Sequence, residues 1–272
     1  ITGDGVVLSM KNCVVSKNTT RDGFLYISSN STANLENVSF LDNVTSGKAF
    51  ENYSTSYVNY IGGEFKNNTV SVITEGRYYF HTRFTDVVFS GNTCTSTSYG
   101  AFNNISARAD TAFDGCTISD NDVAGVGIFN VNMSTDFNVT DCTITDNNFT
   151  ASSGGILSVA SSITVNFNGC TVKNNTAGTS ASLFNFYGTL NLIDTQITGN
   201  TGVHAVYVPE SGRTLNIGGN TVIYDNKNSA GVQNNLYFAS AGGIINIRIT
   251  ERVGAPAGYA NYEFSIKDNG IG

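Results

Sequence analysis

The sequence predicts an all-β fold, a single-stranded parallel β-helix that winds through about nine to ten coils of about 26 residues each. Three observations favour it. A motif repeats along nearly the whole chain, its apolar residues alternate with polar ones as they do in strands, and no stretch carries the 3.6-residue period of a crossover helix. The repeat is clearest in residues 137–147 and 165–175, which share the pattern apolar-x-apolar-x-x-Cys-x-apolar-x-x-Asn.

The last position of the motif is an asparagine that recurs at intervals of 24 to 29 residues. Asn tolerates the left-handed backbone that a sharp corner needs, and its amide can bond to an amide one coil away. We therefore expect these side chains to be vertical neighbours at one corner of the stack. The predicted structural corner ladder is Asn18, Asn43, Asn68, Asn92, Asn121, Asn147, Asn175, Asn200 and Asn226.

Five residues before each corner Asn lies a column of small residues, which contains three cysteines on successive coils. We interpret Cys116, Cys142 and Cys170 as a buried thiol stack, since free cysteine is among the most buried residue types. A metal or redox ladder is the alternative, but two histidines in the chain leave a metal short of ligands. The sequence thus predicts no metal and no cofactor. Cys94 follows a corner in a polar loop and is expected to be the exposed thiol.

The regular coils are predicted to extend over residues 1–226, and residues 227–272 to form an irregular final coil or cap. Strand patterns persist in this second part, but Pro256 and its neighbours interrupt the period. A final corner-like Asn269 just before the last residues suggests a cut from a longer chain. An exposed end coil would also offer unpaired backbone groups, so end-to-end association with itself or with neighbouring domains is expected.

Composition restricts the partners. Charged residues make up 13% of the chain, against about 25% in typical domains, while Asn, Ser and Thr together number 93. The net charge of -7 repels phosphate backbones, which argues against nucleic acid. No apolar run approaches the roughly 20 residues that span a bilayer, so direct membrane insertion is not expected.

Eleven Asn-x-Ser/Thr sequons occur, among them Asn18, Asn43, Asn104, Asn138 and Asn148. These five positions are candidate glycosylation sites. A chain this rich in Asn, Ser and Thr generates most of its sequons by composition alone, so glycosylation itself stays open.

Short motifs resemble those of the chlamydial polymorphic outer membrane proteins and of adhesin-like surface proteins of gut bacteria and archaea. Phe40-Leu-Asp-Asn43 and Phe89-Ser-Gly-Asn92 match a Phe-x-x-Asn motif, and Gly154-Gly-Ile-Leu157 approximates a Gly-Gly-Ala-apolar motif. The resemblance implies a right-handed β-helix outside a cell or on its surface. It carries over no catalytic residue and implies a non-catalytic stalk, fibre subunit or adhesin, with cell-surface glycans or host proteins as further partners.

An enzyme is the first alternative. Asp120 and Asp146 precede corner asparagines on adjacent coils, about 4.8 Å apart, close to the separation of the two carboxyl groups in retaining glycosidases. They could serve a polysaccharide hydrolase or lyase, or with Asp122 could bind Ca²⁺. Asp before Asn is, however, also an ordinary turn former, and no Ser/His/Asp set accompanies the pair.

A glycan- or ice-binding face is the second alternative. Outward polar pairs stack on three coils, and tyrosines in or beside the variable loops could stack on sugars. The pairs are Thr117/Ser119, Thr143/Thr145 and Thr171/Lys173, and the tyrosines are Tyr53, Tyr57, Tyr78 and Tyr99.

Overall fold

Alternation of apolar and polar residues produces short strands, and repetition at about 26 residues places equivalent strands one above another. In the computed structural model the chain is accordingly an all-β parallel solenoid of about eight turns, close to the predicted number, and the described residues contain no helix. The structure describes residues 4–104, 109–132, 134–159, 162–209, 213–239 and 244–248. The predicted fold class is confirmed.

The coils build three parallel sheets, and after β21 (Asn148–Phe149) the shortest of them continues only as isolated bridges at Thr176, Thr201 and Lys227. The first sheet has seventeen strands in two adjoining columns. They are β1 (Val7–Lys11), β2 (Val14–Ser16), β5 (Thr32–Leu41), β8 (Tyr57–Lys66), β11 (His81–Thr85), β12 (Val88–Ser90), β15 (Ala109–Asp114), β16 (Thr117–Ser119), β19 (Ser134–Thr140), β20 (Thr143–Thr145), β23 (Thr164–Asn168), β24 (Thr171–Lys173), β26 (Thr189–Ile193), β27 (Gln196–Thr198), β29 (Thr214–Gly218), β30 (Val222–Tyr224) and β32 (Ile244–Arg248).

The other two sheets follow the corner asparagine. A six-stranded sheet comes directly after it and consists of β3 (Thr19–Thr20), β6 (Val44–Thr45), β9 (Thr69–Val70), β13 (Thr93–Cys94), β17 (Asp122–Val123) and β21 (Asn148–Phe149). After a loop of variable length comes a nine-stranded sheet of β4 (Leu25–Ile27), β7 (Phe50–Tyr53), β10 (Thr74–Arg77), β14 (Phe102–Asn104), β18 (Gly127–Val131), β22 (Gly155–Val159), β25 (Phe184–Asn185), β28 (Val206–Val208) and β31 (Leu236–Phe238).

The core is a continuous column of side chains between the three sheets. Phe40, Phe65 and Phe89 lie in register on successive coils, and the first two have ring centroids 5.9 Å apart. Phe102 of the third sheet meets Phe89 edge-on at 4.9 Å. Burial of each such side chain contributes roughly 1.5–3 kcal/mol to the free energy of folding. Because these side chains are buried by contact between neighbouring coils, stacking of the coils is the main source of stability.

The left-handed residue at each corner is the one before the asparagine. All nine have φ between 54° and 65°, whereas none of the nine corner asparagines, all of them described, has a positive φ. The expectation that Asn itself takes this conformation is therefore wrong. The residue before it makes the turn, and the Asn side chain points into the core. The left-handed residues are Lys17, Asp42, Asn67, Gly91, Asp120, Asp146, Asn174, Gly199 and Asp225.

The corner asparagines form a hydrogen-bonded ladder through the solenoid. The side-chain amide nitrogen of each asparagine donates to Oδ1 of the ladder asparagine on the next coil, at 2.8–3.2 Å. That same Oδ1 also accepts the backbone N–H of the donating asparagine, as Asn68 Oδ1 does from Asn43. From Asn43 onward the amide nitrogen also donates to a backbone carbonyl of the preceding coil. The eight asparagines from Asn43 to Asn226 are no more than 1% exposed, so the ladder satisfies polar groups inside the core.

The ladder ends on Asn235, only nine residues after Asn226. Its Oδ1 accepts both the amide and the backbone N–H of Asn226, at 3.0 and 3.2 Å. Beyond residue 226, β31 pairs with β28 and β32 with β29, so the predicted irregular part begins with a further rung. Residues 249–272 of that part lie outside the described residues.

Replacing a ladder asparagine is predicted to destabilise the solenoid strongly. Asn121→Ala removes four hydrogen bonds, two accepted from Asn92 and one donated to each of Phe89 and Asn147. Leaving those buried partners unpaired should lower the free energy of unfolding by about 3 kcal/mol or more, measured by urea denaturation. Asn148→Ala, the exposed neighbour of a ladder residue, should change it by less than about 0.5 kcal/mol. Equal effects of the two changes would contradict the structural role of the ladder.

Candidate functional site

One outward-facing column of the nine-stranded sheet is polar on every rung. Strand register places its residues one above another on successive strands. We call this set the polar column: Tyr26, Glu51, Glu75, Asn103, Asn130, Ser158, Asn185, Tyr207 and Tyr237.

In the lower, N-terminal half of the polar column, Glu75, Asn103 and Asn130 form a buried hydrogen-bonded network. Glu75 is fully buried, and its Oε1 atom lies 2.6 Å from both Lys48 Nζ and Arg77 Nε. Burial alone would lower the pKa of Lys48, but the hydrogen bond and attraction to Glu75 raise it above its ordinary value. The other Glu75 oxygen accepts from the Asn103 amide at 3.3 Å, and Asn103 Oδ1 accepts from Asn130 at 2.6 Å. These groups stabilise the sheet and are closed to a ligand.

The upper half of the polar column opens into a groove of about 490 Å³. Ser158, Asn185, Tyr207 and Tyr237 line it from the sheet, and serines of the preceding loops, among them Ser182, line the other side. None of the described residues that line the groove is Asp, Glu, Lys or Arg. A volume in this range suits a small ligand or a segment of a longer one.

Three aromatic rings stack at the upper end of the groove. The His204 ring lies 4.3 Å from the Tyr237 ring and 5.6 Å from the Tyr207 ring, all within 17° of parallel. His204 Nδ1 is 3.1 Å from Ser182 Oγ, which fixes the imidazole on the groove wall. Burial lowers the pKa of His204, so the ring is neutral at physiological pH and the aromatic surface is uncharged.

Asn185 differs from the other amides of the polar column. Its Oδ1 atom is buried, and the described residues provide no hydrogen-bond donor for it, whereas the Oδ1 atoms of Asn103 and the ladder residues are paired. A buried carbonyl oxygen without a partner is rare in folded proteins. Asn185 is one of the residues that line the groove, so a molecule bound there is a candidate donor to this oxygen.

The predicted carboxylate pair lies elsewhere, at the corner. Ser119 pairs with Thr145, which places Asp120 and Asp146 on adjacent coils as expected. Both are exposed and both have φ of 57°, so they occupy the left-handed corner position described above. Asp122 is paired instead with Asn148, whose amide donates to it at 3.0 Å. Among the described residues, no group of three or more His, Cys, Asp and Glu could hold a metal.

The predicted thiols stack in the core. Cys116, Cys142 and Cys170 are each 1% exposed, and the Cys116 backbone N–H donates to Cys142 Sγ at 3.3 Å. The expectation for Cys94 is wrong: it is 2% exposed, because the short strand β13 directs its side chain inward in register with Val70 and Val123. Cys13 in the first coil is the most exposed thiol.

The five candidate glycosylation positions differ in access. Asn18 is the first ladder residue and its amide donates to Asn43. Asn43 is fully buried, and its amide donates to the Val15 carbonyl and to Asn68, so Asn43 cannot carry a glycan in the folded chain. Asn148 is exposed, and Asn138 is partly buried and accepts from Asn166 at 2.8 Å. The Asn104 side chain lies outside the described residues.

Two further surface features bear on the predicted binding faces. The outward polar pairs of β16, β20 and β24 are in register, but Gln196 and Val222 follow them on the next coils. On the other column of the first sheet, Asn138, Asn166, Asn191 and Asn216 form a second, outward amide ladder with N–O distances of 2.5–2.8 Å. Sequence analysis missed it, although the recurrent apolar-Asn-apolar pattern signals it.

Comparison of the chain with family models, with curated proteins and with solved structures gives no match. The parallel solenoid is therefore established by the structure, and the resemblance to surface proteins rests on the short motifs. A search of the described residues finds no helix with the length and apolar character needed to cross a membrane.

Neutralising the buried carboxylate is predicted to destabilise the third sheet. Glu75→Gln leaves Arg77 without its carboxylate partner and Lys48 with only the more distant Glu51 at 3.4 Å, and it should lower the free energy of unfolding by about 3 kcal/mol. The matched control is Glu36→Gln, since Glu36 lies the same 2.6 Å from Lys11 but is 49% exposed. That change should have an effect below about 1 kcal/mol in the same denaturation experiment. A larger loss for Glu36→Gln would contradict the assignment.

Thiol labelling is predicted to modify one cysteine in the native chain. Burial raises the pKa of Cys94 to about 12 and that of Cys170 to about 11, so at pH 8 both stay protonated and shielded. A disulfide reagent should titrate one fast thiol per native chain and five after denaturation, and Cys13→Ser should abolish the fast one. Rapid labelling of Cys94 would show that β13 does not face the core.

Proposed function

We propose that the chain is a non-catalytic β-helix that acts outside a cell or on its surface, as a stalk, fibre subunit or adhesin segment. The observation that carries this proposal is the unbroken asparagine ladder, which extends through the whole stack and makes each coil support the next. Such a scaffold keeps its shape over length while its surface columns and loops vary.

Surface chemistry and motifs support the location and the partners. A sparsely charged surface rich in hydroxyl and amide groups suits contact with glycans or with other proteins rather than with nucleic acid. The Phe-x-x-Asn and Gly-Gly-Ile-Leu motifs favour kinship with chlamydial polymorphic outer membrane proteins and adhesin-like proteins. Parallel end strands favour association with a second copy or a neighbouring domain along the solenoid axis.

A polysaccharide hydrolase or lyase is the second candidate, because Asp120 and Asp146 lie on adjacent coils. Their positive φ and exposure are explained by the corner, however, and Asp42 and Asp225 occupy the same position. A retaining glycosidase also needs one carboxyl group held protonated by its surroundings, which two exposed side chains do not provide.

A polysaccharide panel distinguishes the two candidates. We expect the chain to release neither reducing ends nor unsaturated sugars, and Asp120→Asn, Asp146→Asn and Ser182→Ala to be indistinguishable from the native chain. Ser182 is included because its hydroxyl bonds to His204. Turnover that one of these three changes abolishes would overturn the scaffold proposal and identify the reacting group.

A further inference from the structure

We infer that the groove at the upper half of the polar column binds a neutral oligosaccharide, with Asn185, Tyr237 and His204 as its principal contacts. This inference rests on the proposed non-catalytic adhesive function and names the ligand class through which the chain would adhere. Four observations support it: the Asn185 oxygen, which has no partner among the described residues, the stacked aromatic rings, the hydroxyl lining and the absence of charged side chains among the described lining residues.

The unpaired oxygen requires a donor. In the same column, Asn130 donates to Asn103 and Asn103 donates to Glu75, whereas Asn185 Oδ1, one rung above Ser158, has no donor among the described residues. A sugar hydroxyl is a donor of suitable size that can also accept from a second group. Occupation of the groove would therefore satisfy the one amide oxygen of the column that the described residues leave unpaired.

The aromatic stack provides a surface on which the apolar face of a sugar ring can pack. A pyranose ring has one face of C–H groups and a rim of hydroxyls, so it pairs with an aromatic surface edged by polar groups. The neutral stack of His204, Tyr207 and Tyr237 provides that surface, and Ser158, Ser180 and Ser182 lie within the same groove.

The ligand is inferred to be neutral and extended. The described residues of the groove include no Asp, Glu, Lys or Arg, and the chain as a whole has a net charge of -7, which disfavours acidic sugars. The wall residues Ser158, Asn185, Tyr207 and Tyr237 rise by one strand spacing of about 4.8 Å per coil, close to the length of one sugar unit. An oligosaccharide lying along the solenoid axis would thus present one unit to each rung.

Saturation-transfer NMR tests the inference with defined probes. The panel consists of maltotriose, cellotriose, mannotriose and tri-N-acetylchitotriose, with trigalacturonic acid as an acidic comparison and a mixture of random hexapeptides as a different ligand class. We expect transfer to the C–H protons of at least one neutral trisaccharide and none to trigalacturonic acid. Tyr237→Ala and Asn185→Ala should each weaken that binding at least tenfold.

Matched variants separate binding from folding. Tyr224→Ala removes a tyrosine that is 58% exposed on β30, away from the groove, and should leave the affinity unchanged. Asn185→Ala should keep the melting temperature of the native chain or raise it, since the oxygen it removes has no partner.

The outcomes distinguish this inference from the proposed function. If no neutral trisaccharide shows transfer, or if Tyr237→Ala and Asn185→Ala leave it unchanged, the oligosaccharide site is wrong while the scaffold stands. Tyr237-dependent binding of hexapeptides alone would also overturn it and assign the groove to a protein partner. Cleavage of a bound trisaccharide, visible as new anomeric signals in the same spectra, would instead overturn the non-catalytic function.

Discussion

The structure depends on one requirement: a polar amide carried into the core of every coil must have all its hydrogen bonds satisfied there. The ladder meets it because each asparagine bonds to the coil above and to a carbonyl of the coil below. A shift of one residue in any coil would turn that amide outward and break both contacts. The ladder therefore fixes the register of the whole stack, and variation in coil length is confined to the loops.

Fixed register is also what creates the surface sites. Once the coils are aligned, one residue from each strand of the nine-stranded sheet joins a continuous column, although these residues are not neighbours in sequence. The lower part of the column saturates its hydrogen bonds within the protein through Glu75, Asn103 and Asn130. The upper part ends on an open groove and an unpaired oxygen. The same geometry thus yields a structural network at one end and a binding site at the other.

The period, the corner asparagines and the small-residue column could be predicted because each follows from a pattern that repeats in the sequence. Cys94 could not, since β13 has only two residues, too few to show alternation within a polar stretch. The left-handed position was misplaced by one residue because Asn is favoured both in such turns and as a buried amide. The groove was not predicted for a different reason. The sequence places Tyr207 and Tyr237 in strands, but the conformation of the surrounding loops determines which part of the polar column stays open, and the sequence pattern does not give that conformation.

A repeated scaffold also explains how an unsatisfied group is tolerated. An unpaired buried oxygen such as that of Asn185 costs about 1–3 kcal/mol, a large share of the stability of an ordinary small domain. In a solenoid each coil is stabilised by the two that flank it, here through Leu157, Phe184 and Val206 packed in register behind the same strands. The unfavourable group is thus offset by apolar packing on the inner face of the same coils, behind the groove. Selection can then alter one rung of the column for a ligand while the ladder at the opposite corner keeps that rung in place.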